Sequence, residues 1–123
     1  MKNEIQIGKR ITWTNGTGIG VASGDPVVVG GMVCVACGDI ADGESGELAA
    51  EGVFQLPKTA GSAIAQGEAP LFDISAAAFV PAVTVAEAGD ISGCCVAVDA
   101  AASAATVVNV KINVGVGTVE AGA

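Results

Sequence analysis

Short stretches in which apolar and polar residues alternate dominate this sequence, and they restrict the chain to a β fold. The clearest stretch covers residues 47–57 and ends at Pro57, which cannot donate a hydrogen bond to a strand ladder. A second stretch covers residues 108–114, where valine and isoleucine alternate with asparagine and lysine. Alternation with a period of two is typical of strands that bury one face. We therefore predict one strand in each of the two stretches.

Turn signals divide the rest of the chain into further short strands. "NGTG" at residues 15–18 and "SGDP" at residues 23–26 consist of residue types that favour turns. The apolar stretch at residues 27–37 contains Gly30 and Gly31, which we expect to bend or bulge it into two strand pieces. The predicted class is all-β, and the predicted architecture is a small β-sandwich or barrel-like domain.

The length of the chain supports a single domain with an N-terminal extension. At 123 residues it is long enough for one sizeable core and too short for two large domains. We expect an extended N-terminal arm at residues 1–10 and a single β domain at residues 11–123. Helix signals are weak, and we expect only short helical turns at residues 60–67 and 74–80.

The two halves of the chain resemble each other, which indicates that a β unit has been duplicated. The stretch at residues 23–56 aligns loosely with the stretch at residues 66–114. In each, a turn with glycine and an acidic residue precedes an apolar strand, a "CVA" strand, a loop of small residues and an alternating strand. Insertions of different length distinguish this pattern from a short-period solenoid.

Four cysteines are the first candidates for chemistry. Cys34 and Cys37 form a Cys-x-x-Cys pair, and Cys94 and Cys95 are adjacent. Within a strand, residues three apart point to opposite faces, so we expect the sulfurs of Cys34 and Cys37 to be separated. When the halves are aligned, Cys34 matches Cys95, whereas Cys37 and Cys94 match valines. Buried apolar packing is therefore the favoured interpretation. A disulfide or intersubunit cross-link, and a metal or redox centre, stay open as alternatives.

No other motif predicts a catalytic, metal or nucleotide site. The acidic stretch with Asp39, Asp42, Glu44 and Glu47 lacks the spacing of an EF-hand loop and is interpreted as a turn. The Gly-Lys pair at residues 8–9 is not part of a Walker A motif. The sequence has no histidine, so the commonest general base is missing. We predict that the chain is not an enzyme and uses no cofactor, metal or small-molecule substrate.

Composition and charge indicate which partners to expect. Aromatic residues make up only 3% of the chain, and small apolar side chains bury little area each, so we expect an oligomer. The net charge is −8, and phosphate backbones repel such a surface, so we expect no nucleic acid partner. No apolar run approaches the ~20 residues that span a bilayer, so we expect no membrane association.

The N-terminal region contains the best candidates for contact with a partner. Lys9 and Arg10 belong to its basic cluster, which suits an acidic neighbour. Ile5 and Ile7 alternate with polar residues and are interpreted as apolar anchors. Trp13 is the single tryptophan; it is either a contact residue, of a type enriched at interfaces, or an anchor of the core.

Five stretches together resemble one known family. They are "GKRITWTNGTG", "SGDPVVVG", "VACGDIADGESGELAAEGVFQLPK", "AIAQGE" and "VAVDAAASAATVVNVKI". The chain resembles the DUF2190 family of small tailed-phage and prophage proteins, which are interpreted as capsid cement, or decoration, proteins. The likeness covers most of the chain, is weakest at residues 75–93, and is most specific in "DIADGESGELAAEGVFQLPK".

The resemblance implies a structural virion protein that decorates and stabilises a bacteriophage capsid. Such proteins bind the capsid exterior between capsomers, commonly as homotrimers, after assembly in the cytoplasm of the bacterial host. The implied partner is the major capsid protein, against which the arm would order by adding a strand. Ile5, Ile7, Lys9, Arg10 and Trp13 are then the predicted capsid or oligomer contacts. A nucleic-acid-handling accessory protein, suggested by a recombinase-type label in the family, and a small metal or redox β domain remain the alternatives.

Overall fold

The computed structural model describes residues 8–121, which form eleven short β-strands and no helix. The strands are β1 (Arg10–Thr14), β2 (Pro26–Val29), β3 (Met32–Ala36), β4 (Ser45–Ala49), β5 (Gly52–Pro57), β6 (Leu71–Asp73), β7 (Ala78–Val80), β8 (Ile91–Ser92), β9 (Val96–Ala97), β10 (Val107–Ile112) and β11 (Thr118–Val119). The predicted all-β class is confirmed. The two stretches where short helical turns were expected contain turns and strand β7 instead of helix.

The strands form three antiparallel sheets, which is consistent with a small β-sandwich-like domain. The first sheet has the order β1-β4-β3-β2, the second β5-β10-β9 and the third β11-β8-β6-β7. An isolated parallel bridge between Lys58 and Phe79 connects the second sheet to the third. The Gly117 amide donates to the Gly31 carbonyl at 2.9 Å and connects the third sheet to the first. Hydrogen bonds therefore link all three sheets.

The alternating stretch at residues 47–57 contains two strands, and the prediction of one strand is wrong there. β4 ends at Ala49 and β5 begins at Gly52, and the two belong to different sheets. Gly52 has φ 127°, a conformation that side chains with a Cβ rarely adopt. The chain therefore crosses between sheets at this glycine while the alternation of apolar residues continues.

The pair Gly30 and Gly31 makes a complete hairpin turn instead of a bend or bulge. Val29 pairs with Met32 across it, so the loop has only these two glycines. Gly30 has φ 57°, and two-residue hairpin loops select glycine because they need a positive φ. The two predicted strand pieces are thus neighbours in one sheet.

The duplication predicted from the sequence is visible in strand pairing. We define the first unit as residues 10–49 and the second as residues 53–112. β1 pairs with β4 as β5 pairs with β10, with Ile11 opposite Leu48 and Phe54 opposite Val110. β5 therefore begins the second unit, although the sequence alignment placed it at the end of the first.

Loop hydrogen bonds repeat in the same way between the units. In the first unit, hydrogen bonds join Val21 to Ile40, Gly24 to Ala36, and Cys37 to Glu47. Their counterparts in the second unit, in the same order, join Ile64 to Ala101, Gly67 to Ala97, and Val98 to Asn109. The chief difference is between the matched positions Gly24–Ala36 and Gly67–Ala97, where the second unit is longer and has β6, β7 and β8 in place of β2. We call this longer segment the insertion. The two units thus share one framework of paired strands and loop hydrogen bonds, and they differ in the strands that pack over this framework.

The core lies in two clusters on opposite faces of the first sheet. Because strand side chains alternate, Val33 of β3 faces the larger cluster and Cys34 faces the smaller one. The larger cluster contains Phe72 and Phe79, whose rings meet edge to face with their centroids 5.1 Å apart. This cluster joins the second and third sheets to the first.

Each unit closes a loop around one buried polar side chain at the same position. Asn15 follows β1, and Lys58 is at the end of β5; both side chains are buried. The Asn15 amide group donates to two carbonyls and the Lys58 ammonium group to three. The acceptors are Ile19 (2.8 Å) and Ile40 (3.0 Å) for Asn15, and Thr59 (3.1 Å), Ser103 (3.4 Å) and Ala105 (3.2 Å) for Lys58.

The substitution Lys58→Met tests the importance of this arrangement. We expect it to lower the free energy of unfolding by about 2–4 kcal/mol, because buried carbonyls lose their donor. Lys111→Met on the exposed face of β10 is the matched control and should change it by less than about 0.5 kcal/mol. Urea unfolding, monitored by Trp13 fluorescence, measures the free energy of unfolding of both variants. Equal changes at the two positions would contradict the role of Lys58.

The contact between the β2–β3 turn and the segment before β11 allows no side chain at Gly31. A Cβ at Gly31 would lie 2.6 Å from the carbonyl oxygen of Gly117, so backbone would have to move. We expect Gly31→Ala to destabilise the protein by about 1–3 kcal/mol. At Gly16 a Cβ meets no atom within 4 Å, so Gly16→Ala should unfold near the wild-type temperature. Thermal unfolding of the pair checks this, and identical melting temperatures would refute the close contact.

Candidate functional site

Two of the three predicted contact residues that the structure describes, Lys9 and Arg10, are exposed. Lys9 and Arg10 are both on the surface, and Arg10 begins β1. The guanidinium of Arg10 lies 3.5 Å from the carboxylate of Glu47, an exposed pair of a kind that contributes little to stability. Ile5 and Ile7 lie outside the described residues. Lys9 and Arg10 are therefore available to a partner.

Trp13 lies on the other face of β1 from Arg10, which the alternation of side chains along a strand explains. It is half-buried and packs against the smaller core cluster, as expected of a core anchor. Its remaining surface lines a pocket. Trp13 thus supports the core and is also accessible from outside.

The pocket beside Trp13 has a volume of about 250 Å³ and mostly apolar walls. Three separate segments form them: the end of β1 with the loop that contains Val21, the edge strand β2, and the β6–β7 hairpin with Phe72 and Ile74. The first two segments belong to the first unit, and the hairpin belongs to the insertion in the second. The pocket therefore lies where the two units meet.

The loop at one side of the pocket is held by carboxylates from the acidic stretch. The Gly18 amide donates to Asp42 at 3.0 Å, and the Ser23 amide donates to Asp39 at 2.8 Å. Asn15 holds the beginning of the same loop through its buried amide group. The acidic stretch is a turn, as expected from its sequence, and it also fixes a pocket wall.

The surroundings of the pocket are acidic. Asp25 directly precedes β2, Asp73 ends β6, and Asp42 contacts the loop after β1. The wall segments, residues 13–28 and 71–78, contain no lysine or arginine. An apolar floor with carboxylates nearby suits an apolar side chain whose neighbours in sequence are basic.

The cysteines do not form a single centre. Cys34, Cys94 and Cys95 are buried, whereas Cys37 lies beyond the end of β3 and is exposed. The sulfurs of Cys94 and Cys95 are 3.3 Å apart, and the Asn113 side-chain nitrogen lies 3.9 Å from the Cys34 sulfur. Buried apolar packing describes three of the four cysteines, and it is wrong for Cys37.

The environment favours the neutral thiols of Cys34 and Cys95, whereas it lowers the pKa of Cys94. Burial raises the pKa of Cys34. The hydrogen bond between the adjacent thiols, together with burial, raises the pKa of Cys95, and the same hydrogen bond lowers the pKa of Cys94. Within residues 8–121, no three cysteine or carboxylate side chains are grouped so that they could hold a metal ion. In the same residues, no helix is long and apolar enough to cross a membrane.

Sequence reasoning found Trp13 but missed the other walls of the pocket. Val21, Phe72 and Ile74 come from segments far apart in sequence, and none belongs to a motif. The one usable signal was the unequal length of the two aligned halves, since the extra residues of the second half form the hairpin on one side.

Comparison with known proteins identifies the family. The family model described as phage cement protein matches residues 5–112. The chain belongs to the phage cement protein family. This confirms the resemblance seen in the sequence and assigns the chain a structural role in a phage capsid. The matched region includes both units of the cement protein and all walls of its pocket. No curated protein and no solved structure matches the chain.

Thiol labelling of the reduced cement protein tests the placement of the cysteines. At pH 8, a disulfide reagent such as DTNB should modify one thiol per chain rapidly, because only Cys37 is exposed and the others are shielded by burial. Four thiols should react in denaturant, and Cys37→Ser should abolish the rapid phase. Rapid reaction of any thiol in the folded Cys37→Ser variant would show that the three buried cysteines are accessible to the reagent.

Proposed function

We propose that this cement protein decorates the outer surface of a bacteriophage capsid, where it binds between capsomers as a homotrimer and stabilises the shell. Its partner is the major capsid protein, and it lies on the exterior of a virion that is assembled in the cytoplasm of the bacterial host. The observation that carries the proposal is the family match, which extends from residue 5 to residue 112. Clamping neighbouring capsomers requires contact area and shape complementarity, and it requires no reaction.

Exposed apolar side chains supply candidate contact area. Val83 and Val85, with exposed fractions of 93% and 72%, lie in one loop that follows β7. Val114, Val116 and Val119 are exposed near the other end of the third sheet. Single exposed apolar residues are ordinary on protein surfaces, but groups of them in one loop or at one edge are typical of contact sites.

The distribution of charge supports a protein partner over a nucleic acid. In the described part of the chain, exposed basic side chains occur at Lys9, Arg10 and Lys111, and Lys58 is buried. Counterion release from nucleic acid needs several basic groups on one surface. We propose that the protein acts without catalysis, cofactor, membrane or small-molecule substrate, and no specific observation favours the nucleic-acid or redox alternative.

Binding to capsids tests the proposed function. Purified protein is mixed with expanded capsids of the phage or prophage that encodes it, assembled without it. We expect saturable co-sedimentation and new density on the exterior at three-fold and quasi-three-fold positions in electron micrographs. Unexpanded capsids are the control. Absence of both co-sedimentation and density would refute the proposal, and salt-sensitive binding to duplex DNA in a parallel assay would support the nucleic-acid alternative.

A further inference from the structure

The pocket beside Trp13 corresponds to a place in the second unit that is filled. The matching strand registers make Leu56 the counterpart of Trp13, and the matching loop bridges make Ile64 the counterpart of Val21. Leu56 and Ile64 are each only 1% exposed, whereas Trp13 and Val21 are half-buried and line the pocket. The same framework is thus closed in one unit and open in the other.

Strand β7 of the insertion closes the second unit. Its Phe79 is fully buried in the same cluster as Leu56 and Ile64. The backbone of β7 runs parallel to the end of β5 through the bridge between Lys58 and Phe79, and the Thr59 amide donates to the Phe79 carbonyl at 3.0 Å. A short parallel segment with one large apolar side chain therefore fills this place.

The equivalent position in the first unit has room for such a segment. β1 is an edge strand, and no other strand of residues 8–121 pairs with its outer side. Gly16, the counterpart of Thr59, is exposed, and a Cβ built on it would meet no atom within 4 Å. An added segment could accept a hydrogen bond from the Gly16 amide as Phe79 does from Thr59.

We propose that residues 1–7 of a neighbouring copy of this chain bind along the outer edge of β1 and insert Ile5 or Ile7 into the pocket, in the place that Phe79 takes in the second unit. The inference deepens the proposed function, since it names the contact by which copies associate. It departs from the expectation that the arm orders against the major capsid protein.

Charge and residue pattern favour this segment as the occupant. Ile5 and Ile7 alternate with polar residues, as a segment with one face in an apolar pocket requires. Residues 1–7 contain Lys2 and Glu4, and Lys9 and Arg10 follow them closely in the chain. The carboxylates near the pocket are complementary to the basic residues that follow the segment.

Chain geometry favours a neighbouring copy over the segment's own chain. A segment parallel to β1 must return along the whole strand, which is about 17 Å long for five residues. Only Gly8 and Lys9 separate residues 1–7 from β1, and two residues span about 7 Å at most. Parallel strands joined in one chain need a crossover of about a dozen residues, so a parallel segment comes from another copy.

The mass of the full-length protein in solution tests the contact. Wild type should have a mass above the 11.8 kDa of one chain by light scattering, with a trimer as the expected species. Ile5→Asp/Ile7→Asp should sediment and scatter as a monomer that still unfolds cooperatively, at a lower temperature than wild type because association no longer stabilises it. Gln6→Asp, which adds one of the two charges and leaves both isoleucines in place, is the control for charge and should stay associated. A monomeric wild type, or an associated Ile5→Asp/Ile7→Asp variant, would overturn the inference.

Trp13 provides a direct measure of pocket occupancy because it is the only tryptophan. The synthetic peptide MKNEIQIGKR is titrated into the full-length Ile5→Asp/Ile7→Asp variant, whose own segment no longer competes. We expect a saturable blue shift of Trp13 emission, and no shift with the peptide MKNEDQDGKR. Adding Ile74→Lys to the protein should weaken binding about tenfold or more, since it removes apolar contact and places a cation among basic residues. No shift with either peptide would overturn the inference.

The two proposals fail separately. If the Ile5→Asp/Ile7→Asp variant stays associated but loses density on expanded capsids, the segment contacts the capsid protein and the neighbouring-copy contact is refuted. If wild type associates through the segment but never decorates capsids, the contact stands and the proposed function is refuted. Retained association after deletion of residues 1–7, with Trp13 emission unchanged, would refute the contact independently of any substitution.

Discussion

The loops that close each unit fold around a buried polar side chain, and the rest of the structure depends on those two side chains. A buried donor without an acceptor is costly, so the loops must present carbonyls in fixed places around Asn15 and Lys58. Asn15 contacts loop carbonyls from both sides, and the three donors of the Lys58 ammonium group each have an acceptor. That requirement sets the course of the loops, which then place Val21 and Ile64 over the sheets.

The small side chains of the core let backbone segments approach closely and leave little apolar area to bury. Gly46, opposite Trp13 in the first sheet, has no room for a Cβ because the Ile40 side chain would lie 2.6 Å away. Gly31 and Gly117 meet backbone to backbone. Such packing makes a thin domain with few large anchors, and the stabilisation per residue is low when little area is removed from water. In the proposed contact between copies, further burial of Trp13 would compensate for part of this.

Period-two patterning was sufficient for the class and for the stretches that form β4, β5 and β10, and its failures have physical causes. Alternation continued through residues 47–57 although the chain changes sheet: Leu48 packs in the smaller cluster and Leu56 in the larger one. Because both strands bury even-numbered positions, two strands looked like one. The alternation of strand side chains predicted different environments for Cys34 and Cys37, and Cys34 is buried whereas Cys37 is exposed. However, Cys37 lies beyond the end of β3, where this alternation no longer determines burial. Lys58 gave no local signal, since two of its three acceptors, Ser103 and Ala105, lie far away in the chain. The pocket depends on an insertion whose position only tertiary contacts reveal.

If a neighbouring copy fills the pocket as proposed, the duplicated domain, which closes this site in one unit and leaves it open in the other, makes a heterologous contact between copies. The pocket and the N-terminal segment are different surfaces, so each copy can give one and receive the other. Heterologous contacts close into rings when the rotation between copies divides a full turn, and otherwise they grow into filaments. A ring of three would suit positions of three-fold symmetry on a shell. In the proposed contact, the insertion that fills the second unit would also limit association, because it would leave one open site per chain instead of two, which allows a ring and prevents a branched network.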